Sequence, residues 1–184
     1  MLVEPWLPKV FEFSAHYDCA AGSARFVGLV RQHTDARGRW LACATGPKFL
    51  KGLDPAVAAF ASQVVLPAYE GVVQAALTDM LRDHPHDGPL GVDAFVWSSP
   101  DGRPHLHAVV EINPRWSMGR MTHVLGKRLS PHRWLHLRCV PTAEAVLLPA
   151  PVMTDSHLTA GAILLTDPSQ AHDRVVVVSV SDGP

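Results

Sequence analysis

Four residues near the middle of the chain have the types and spacing for metal-assisted phosphate chemistry: Asp93, Glu111, Asn113 and Arg115. Asp93 lies in an apolar run, residues 91–97. The other three close a second run, residues 105–115. Pro100 and Pro104 bound the segment between, and Asp101-Gly102 supplies turn chemistry, so a hairpin with a five-residue loop is the simplest reading. Centring that loop on Gly102 pairs Trp97 with His107, Phe95 with Val109 and Asp93 with Glu111. Asn113 then lies two residues further along the same face. Opposed carboxylates repel unless a cation or a proton lies between them. Two carboxylates and an amide oxygen form a hard ligand set that suits Mg²⁺, with Mn²⁺ as the alternative. Arg115, planar and permanently charged, suits a phosphate just beyond them.

Such a hairpin needs a sheet to hold it. Residues 10–19 are aromatic-rich and partly alternating, residues 24–33 repeat that character, and residues 39–45 follow a turn at 34–38. These predict three strands in an antiparallel meander. Asp54-Pro55 is an N-cap followed by proline at the first helical position. Apolar spacing then runs to about Leu81, with Pro67 expected to break or kink it. Residues 117–126 predict a short helix ending at glycine, and Ser130-Pro131 starts another through about Arg138. Residues 162–166 and 174–180 predict a closing hairpin across Asp167-Pro168. The class is α+β: an antiparallel β-sheet with helices packed on one side. The expected division is a first domain over residues 1–128 and a C-terminal extension over 129–184 that carries the closing hairpin.

Composition narrows the function. At 184 residues, with 47% hydrophobic and 18% charged residues, the chain can bury a substantial core. The net charge is −1 and no Lys/Arg run occurs, so a basic nucleic-acid-binding face is unsupported. Cys19, Cys43 and Cys139 have no CxxC spacing and read as reduced thiols of a cytoplasmic protein. No signal peptide is visible, and no apolar run approaches 18 residues, so no segment is expected to span a membrane. His105 and His107, His84 and His86, and His132 and His136 have ligand-like spacings. With eleven histidines such pairs are expected, and no third ligand follows at a zinc spacing. No G-x-S-x-G elbow frames a serine nucleophile. A metal-dependent nuclease would want a lysine two residues after Glu111, where Asn113 stands.

The pattern Gly91-x-Asp93 … Glu111-Ile-Asn113-Pro-Arg115 resembles the C-terminal part of ATP-grasp enzymes. The order of strands, helix, Asp strand and Glu-x-Asn strand is similar to their second subdomain over residues 3–125. The resemblance implies an ATP-dependent ligase that joins a carboxylate to an amine or a thiol through an acyl phosphate. It implies that Asp93, Glu111 and Asn113 hold Mg²⁺ on the ATP phosphates, with Arg115 as a catalytic contact to phosphate or acyl phosphate. Glu4, in the hinge-like stretch 3–5, would meet the adenine, and Glu12 would bind the ribose hydroxyls. The family's first subdomain, with its phosphate-binding lysines and glycine-rich loop, has no counterpart here. The isolated chain is therefore expected to be inactive: a fragment, one half of a split enzyme completed by a separate N-terminal half or a second copy, or a degenerate module for binding or assembly.

Overall fold

The computed structural model describes residues 5–184, and the chain divides into two compact units. The first joins Met1–Gly28 to Leu53–Trp116, and the second joins Leu29–Gly52 to Ser117–Pro184. Residues 129–184, expected as a separate extension, thus share the second unit with Leu29–Gly52.

The first unit contains β1 (Lys9–Ala20), the opening part of β2 (Ser23–Thr34), β4 (Gly88–Ser98) and β5 (Pro104–Asn113), in the spatial order β5-β4-β1-β2. Along β1, Phe11, Phe13, Ala15 and Tyr17 alternate onto one face and are buried. Their partners Val96, Ala94, Val92 and Leu90 in β4 are buried with them. Period-two alternation therefore assigns one face of this sheet to the core.

That face is covered by α1 (Pro55–Asp83). Asp54 caps it, accepting from the Ala56 amide at 2.9 Å and the Val57 amide at 3.4 Å, with Pro55 in the first turn. Pro67 does not break the helix. It is flanked instead by two widened, π-type stretches, Ala61–Val65 and Tyr69–Val73. A proline interior to a helix removes one amide donor and crowds the preceding turn, and widening relieves both. The widening also sets the buried stripe. Val57, Ala61, Val65, Tyr69, Leu77 and Leu81 are all buried, and they fall on a four-residue spacing whose one missing step is the half-buried Val73. In a regular α-helix such a stripe would drift by about 40° per step. The wider turns drift the other way, so the stripe stays on the sheet.

Two tyrosines tie helix to strands. The Tyr17 hydroxyl donates to the Tyr69 carbonyl at 2.9 Å, and the Tyr69 hydroxyl donates to the Ala108 carbonyl in β5 at 2.5 Å. Burial pushes both phenols well above their ordinary range, so both remain donors at any working pH. On the other flank, the Gln74 and Thr78 side chains accept from the amides of Phe26 and Ala24. Contrary to the reading of the sequence, α1 is long and apolar enough, by length and composition, to cross a membrane. Its buried stripe is nevertheless engaged on β1 and β5.

The second unit contains the rest of β2, then β3 (Trp40–Thr45), β6 (Trp134–Pro141), β10 (Arg174–Ser181) and β9 (Ala162–Leu164), neighbours in that order. Between these in sequence lie α2 (Met118–Leu129), the single turn α3 (Thr142–Ala145) and the small hairpin β7 (Val152–Thr154) and β8 (His157–Ala160). Helix α2 begins at Ser117, whose hydroxyl accepts from the Arg120 amide. It packs Met118, Met121, Leu125 and Leu129 onto Leu135, Leu137 and Val178. The expected helix from Ser130 to about Arg138 is not formed. Trp134–Pro141 is a strand paired on both sides, with β3 and with β10, and this pairing overrides the local helix-start signal. The closing hairpin does form: Ile163 pairs with Val178 and Leu164 with Val177. Asp167 shapes its loop, accepting from the Ser169 amide at 2.8 Å.

Replacing Tyr69 by phenylalanine should cost about 1 kcal/mol, the usual net value of one such hydrogen bond. Hydrogen exchange should accelerate most at the amides of residues 108–110. Unchanged exchange there would mean that the hydroxyl does not hold β5.

Candidate functional site

The hairpin that carries the four residues is built differently from the expectation, although Asp93 and Glu111 do face each other. The Gly102 amide donates to the Ser99 carbonyl at 2.8 Å and the Ser99 amide to the Arg103 carbonyl at 3.0 Å, with Gly102 at φ +80°. This is a three-residue loop, Pro100-Asp101-Gly102, with glycine in the left-handed position. The hairpin is therefore centred on Asp101. Ser98 pairs with Pro104, Trp97 with His105 and Phe95 with His107, in place of the expected Trp97 with His107 and Phe95 with Val109. Beyond Phe95 the register shifts, and Asp93 pairs with Glu111, Val92 with Ile112 and Gly91 with Asn113. Ala94 thus opposes three residues, Ala108, Val109 and Val110, and β5 bulges there. The Tyr69 hydroxyl binds the carbonyl at the start of that bulge.

At the end of β5 the chain folds back sharply. The Arg115 amide donates to the Asn113 carbonyl at 2.8 Å across Pro114, a γ-turn for which the fixed negative φ of proline is suited. The turn brings the Arg115 guanidinium over its neighbour's side chain. Nη2 of Arg115 donates to Oδ1 of Asn113 at 2.8 Å, and Nδ2 of Asn113 donates to Oδ2 of Asp93 at 3.2 Å. Asn113 is only 5% exposed, Asp93 is half-buried, and Glu111 and Arg115 are exposed. Aspartate, amide and guanidinium form one chain of hydrogen bonds, with Glu111 opposite its acidic end.

Strand β1 extends this face. Glu12 pairs with Phe95, Ser14 with Asp93 and His16 with Gly91, so Glu12 stands one pleat from Asp93. Lys9, which nothing in the sequence singles out, joins it. A register shift between Lys9 and Phe11 turns Lys9 onto the side of Glu12, where the two make an ion pair at 2.9 Å. The ammonium also lies 5.8 Å from the centre of the Phe95 ring. An unbulged strand would put positions 9 and 12 on opposite faces, and no local signal marks the extra residue. Beside them Phe95 stacks on His107, 4.8 Å between centres and 16° between planes, and Trp97 stacks on His105 at 4.6 Å and 22°. These flat pairs replace the aliphatic wall that the expected register would have made of Val109. Glu4 lies outside the described residues.

The chemistry of the set fits a hard divalent cation. Two carboxylates directly opposed across an antiparallel pair repel, and the amide beside them carries a neutral oxygen of the kind a hard cation takes, turned here toward Arg115. The histidines do not add a softer site: among the described residues no three His, Cys, Asp or Glu side chains come together for a metal.

No protein-family model and no curated protein matches the chain in sequence. Solved structures match it in fold. The biotin carboxylase of Campylobacter jejuni, solved as a β,γ-ATP complex, matches 97% of the chain at a TM-score of 0.55 and 7% identity. The L-amino acid ligase of Bacillus licheniformis matches 96% of it at 0.51 and 10% identity. The N5-carboxyaminoimidazole ribonucleotide synthetase of Thermus thermophilus matches 97% of it at 0.50 and 14% identity. The chain spans about half the length of these structures, 43%, 50% and 48% respectively. Its mostly antiparallel sheets and few helices are the fold of the C-terminal part of ATP-grasp enzymes.

Proposed function

We propose that this chain is the nucleotide- and Mg²⁺-binding half of an ATP-dependent ligase joining a carboxylate to an amine or a thiol. The observation that carries the reading is the in-register pair Asp93–Glu111, set beside the Asn113–Arg115 turn on the face that also carries Glu12. Phe95 and Gly91 are four positions apart on β4, about 13 Å along the strand. A nucleoside triphosphate laid along that direction would have its base and ribose against the Phe95–His107 stack and Glu12, and its phosphates at Asp93, Glu111, Asn113 and Arg115. Flat aromatic pairs suit a purine base. Glu12 can accept from ribose hydroxyls while it holds Lys9, because a carboxylate has several acceptor positions. Glu4 would belong to the adenine end.

Asp93, Glu111 and Asn113 would hold Mg²⁺, which neutralises phosphate charge during transfer to the carboxylate substrate. Arg115, exposed at the rim, would bind an anionic oxygen of phosphate or acyl phosphate. Cys19, Cys43 and Cys139 are free thiols, which agrees with a cytoplasmic site of action. A second reading, a module for binding or assembly without catalysis, is favoured by one observation. Val64 and Val72 of α1 and Val110 and Ile112 of the edge strand β5 are exposed apolar side chains, a surface suited to a separate N-terminal half or a second copy.

Calorimetry separates the two readings. The ligase reading expects ATP to bind with Mg²⁺ and to lose at least about tenfold in affinity in Glu111→Ala. Equal binding by both proteins would remove the hairpin as the metal site, and no binding by either would favour the assembly module. Without divalent cations Glu111→Gln should raise unfolding stability by about 0.2–1 kcal/mol, since it removes one of two opposed like charges. Any stabilisation of the parent chain by Mg²⁺ should shrink in the variant. A destabilised variant would mean that the two carboxylates are not in conflict.

A further inference from the structure

Among the described residues of the site only Asn113 is buried, and its amide is engaged at both ends. A guanidinium only donates and a carboxylate only accepts. Between Arg115 and Asp93, 2.8 Å and 3.2 Å away, the amide has a single orientation that satisfies both neighbours. That orientation points Oδ1 at Arg115 and Nδ2 at Asp93. Oδ1 is the only side-chain atom of Asn113 able to ligate a hard cation, so in this arrangement it faces away from the carboxylate where the cation would sit.

We propose that Asn113 is a two-position amide that couples cation binding to the release of Arg115. The inference rests on the Mg²⁺ reading of this site. A divalent cation at Asp93 and Glu111 draws Oδ1 round by a half-turn of the terminal torsion. This torsion is soft and roughly two-fold, so both positions are ordinary rotamers. The turn breaks the Nδ2 bond to Asp93, whose oxygen the cation takes over. It also sets Nδ2 against the guanidinium, donor facing donor. The Arg115 side chain then loses its acceptor and swings free, while its backbone stays held by the γ-turn across Pro114. Arg115 is exposed, so its release buries nothing and uncovers a cationic fork for an anionic oxygen. Anion capture thereby follows cation binding. By linkage, an anion that holds Arg115 away from Asn113 also favours the cation, and couplings of this kind typically span about 5–150-fold.

The test is a titration of the full chain with MgCl₂ and no nucleotide. The Arg115 Nε–H and Asn113 side-chain amide resonances are followed by NMR, and cation binding is measured in parallel by calorimetry. In the parent chain both resonances should shift and saturate with the same midpoint as the heat. In Asn113→Ala the Arg115 resonance should start near its released position and stay there as Mg²⁺ is added. A shift of Arg115 that persists in Asn113→Ala would be the direct effect of a nearby charge and would overturn the coupling. Should that variant not fold, an Asn113 side-chain amide that does not move in the parent chain while heat is evolved overturns it equally. Mg²⁺ binding with both resonances still overturns the amide switch alone. No Mg²⁺ binding overturns the metal site and the switch together.

Discussion

The candidate site depends on a hydrogen bond to the helix that covers the opposite face of the sheet. Tyr69 reaches from α1 to the Ala108 carbonyl, at the point where β5 carries residues in excess of those in β4. Period-two geometry makes register unforgiving, because every pairing fixes which side chains share a face. The loop sets one register from Ser98 to Phe95, and the bulge sets another from Asp93 onward. With the first register alone, Asp93 would face Val109 and the two carboxylates would lie apart. The buried stripe of α1, the widened turns around Pro67 that keep it in line, and the protonated phenol of Tyr69 together hold the interruption in place. Core packing and site geometry are thus linked through one carbonyl.

The result is a cluster in which like charges face each other. Asp93 is paired with Glu111 across the strands, while Arg115 donates to the amide of Asn113. Natural sheets avoid opposed like charges unless something else is gained. The proposed cation would supply that reason, because its binding would remove a repulsion that the fold has left standing. The same face places Glu12, Lys9 and two stacked aromatic–histidine pairs within reach of one elongated ligand, and this gathering gives the nucleotide reading its force.

Much of this is legible in the sequence, and what is not depends on irregularity. Alternation in residues 10–19 and 91–97, the Asp54-Pro55 helix start and the Val-rich closing strand can be read because each is a local pattern with a physical cause. The facing of Asp93 and Glu111 follows from the sequence only through a loop centred one residue too far along. In the structure the three-residue loop moves the pairing, and the interruption at residues 108–110 restores it. Lys9 is invisible for the same reason, since only the bulge near Val10 turns it toward Glu12. Trp134–Pro141 misleads because Ser130-Pro131 offers a helix start, while partner strands on both sides decide the outcome. The Asn113-Pro114-Arg115 turn is readable as a motif. Its effect, a guanidinium folded back onto the amide, requires the side chains in place.

The most direct test of a divalent-cation site on this hairpin is paramagnetic broadening by Mn²⁺. At substoichiometric Mn²⁺ the backbone amide signals of residues 91–95 and 109–115 should broaden first, and more strongly once ATP is added. Broadening centred elsewhere, for example at His84 and His86, or none at all, would contradict the account.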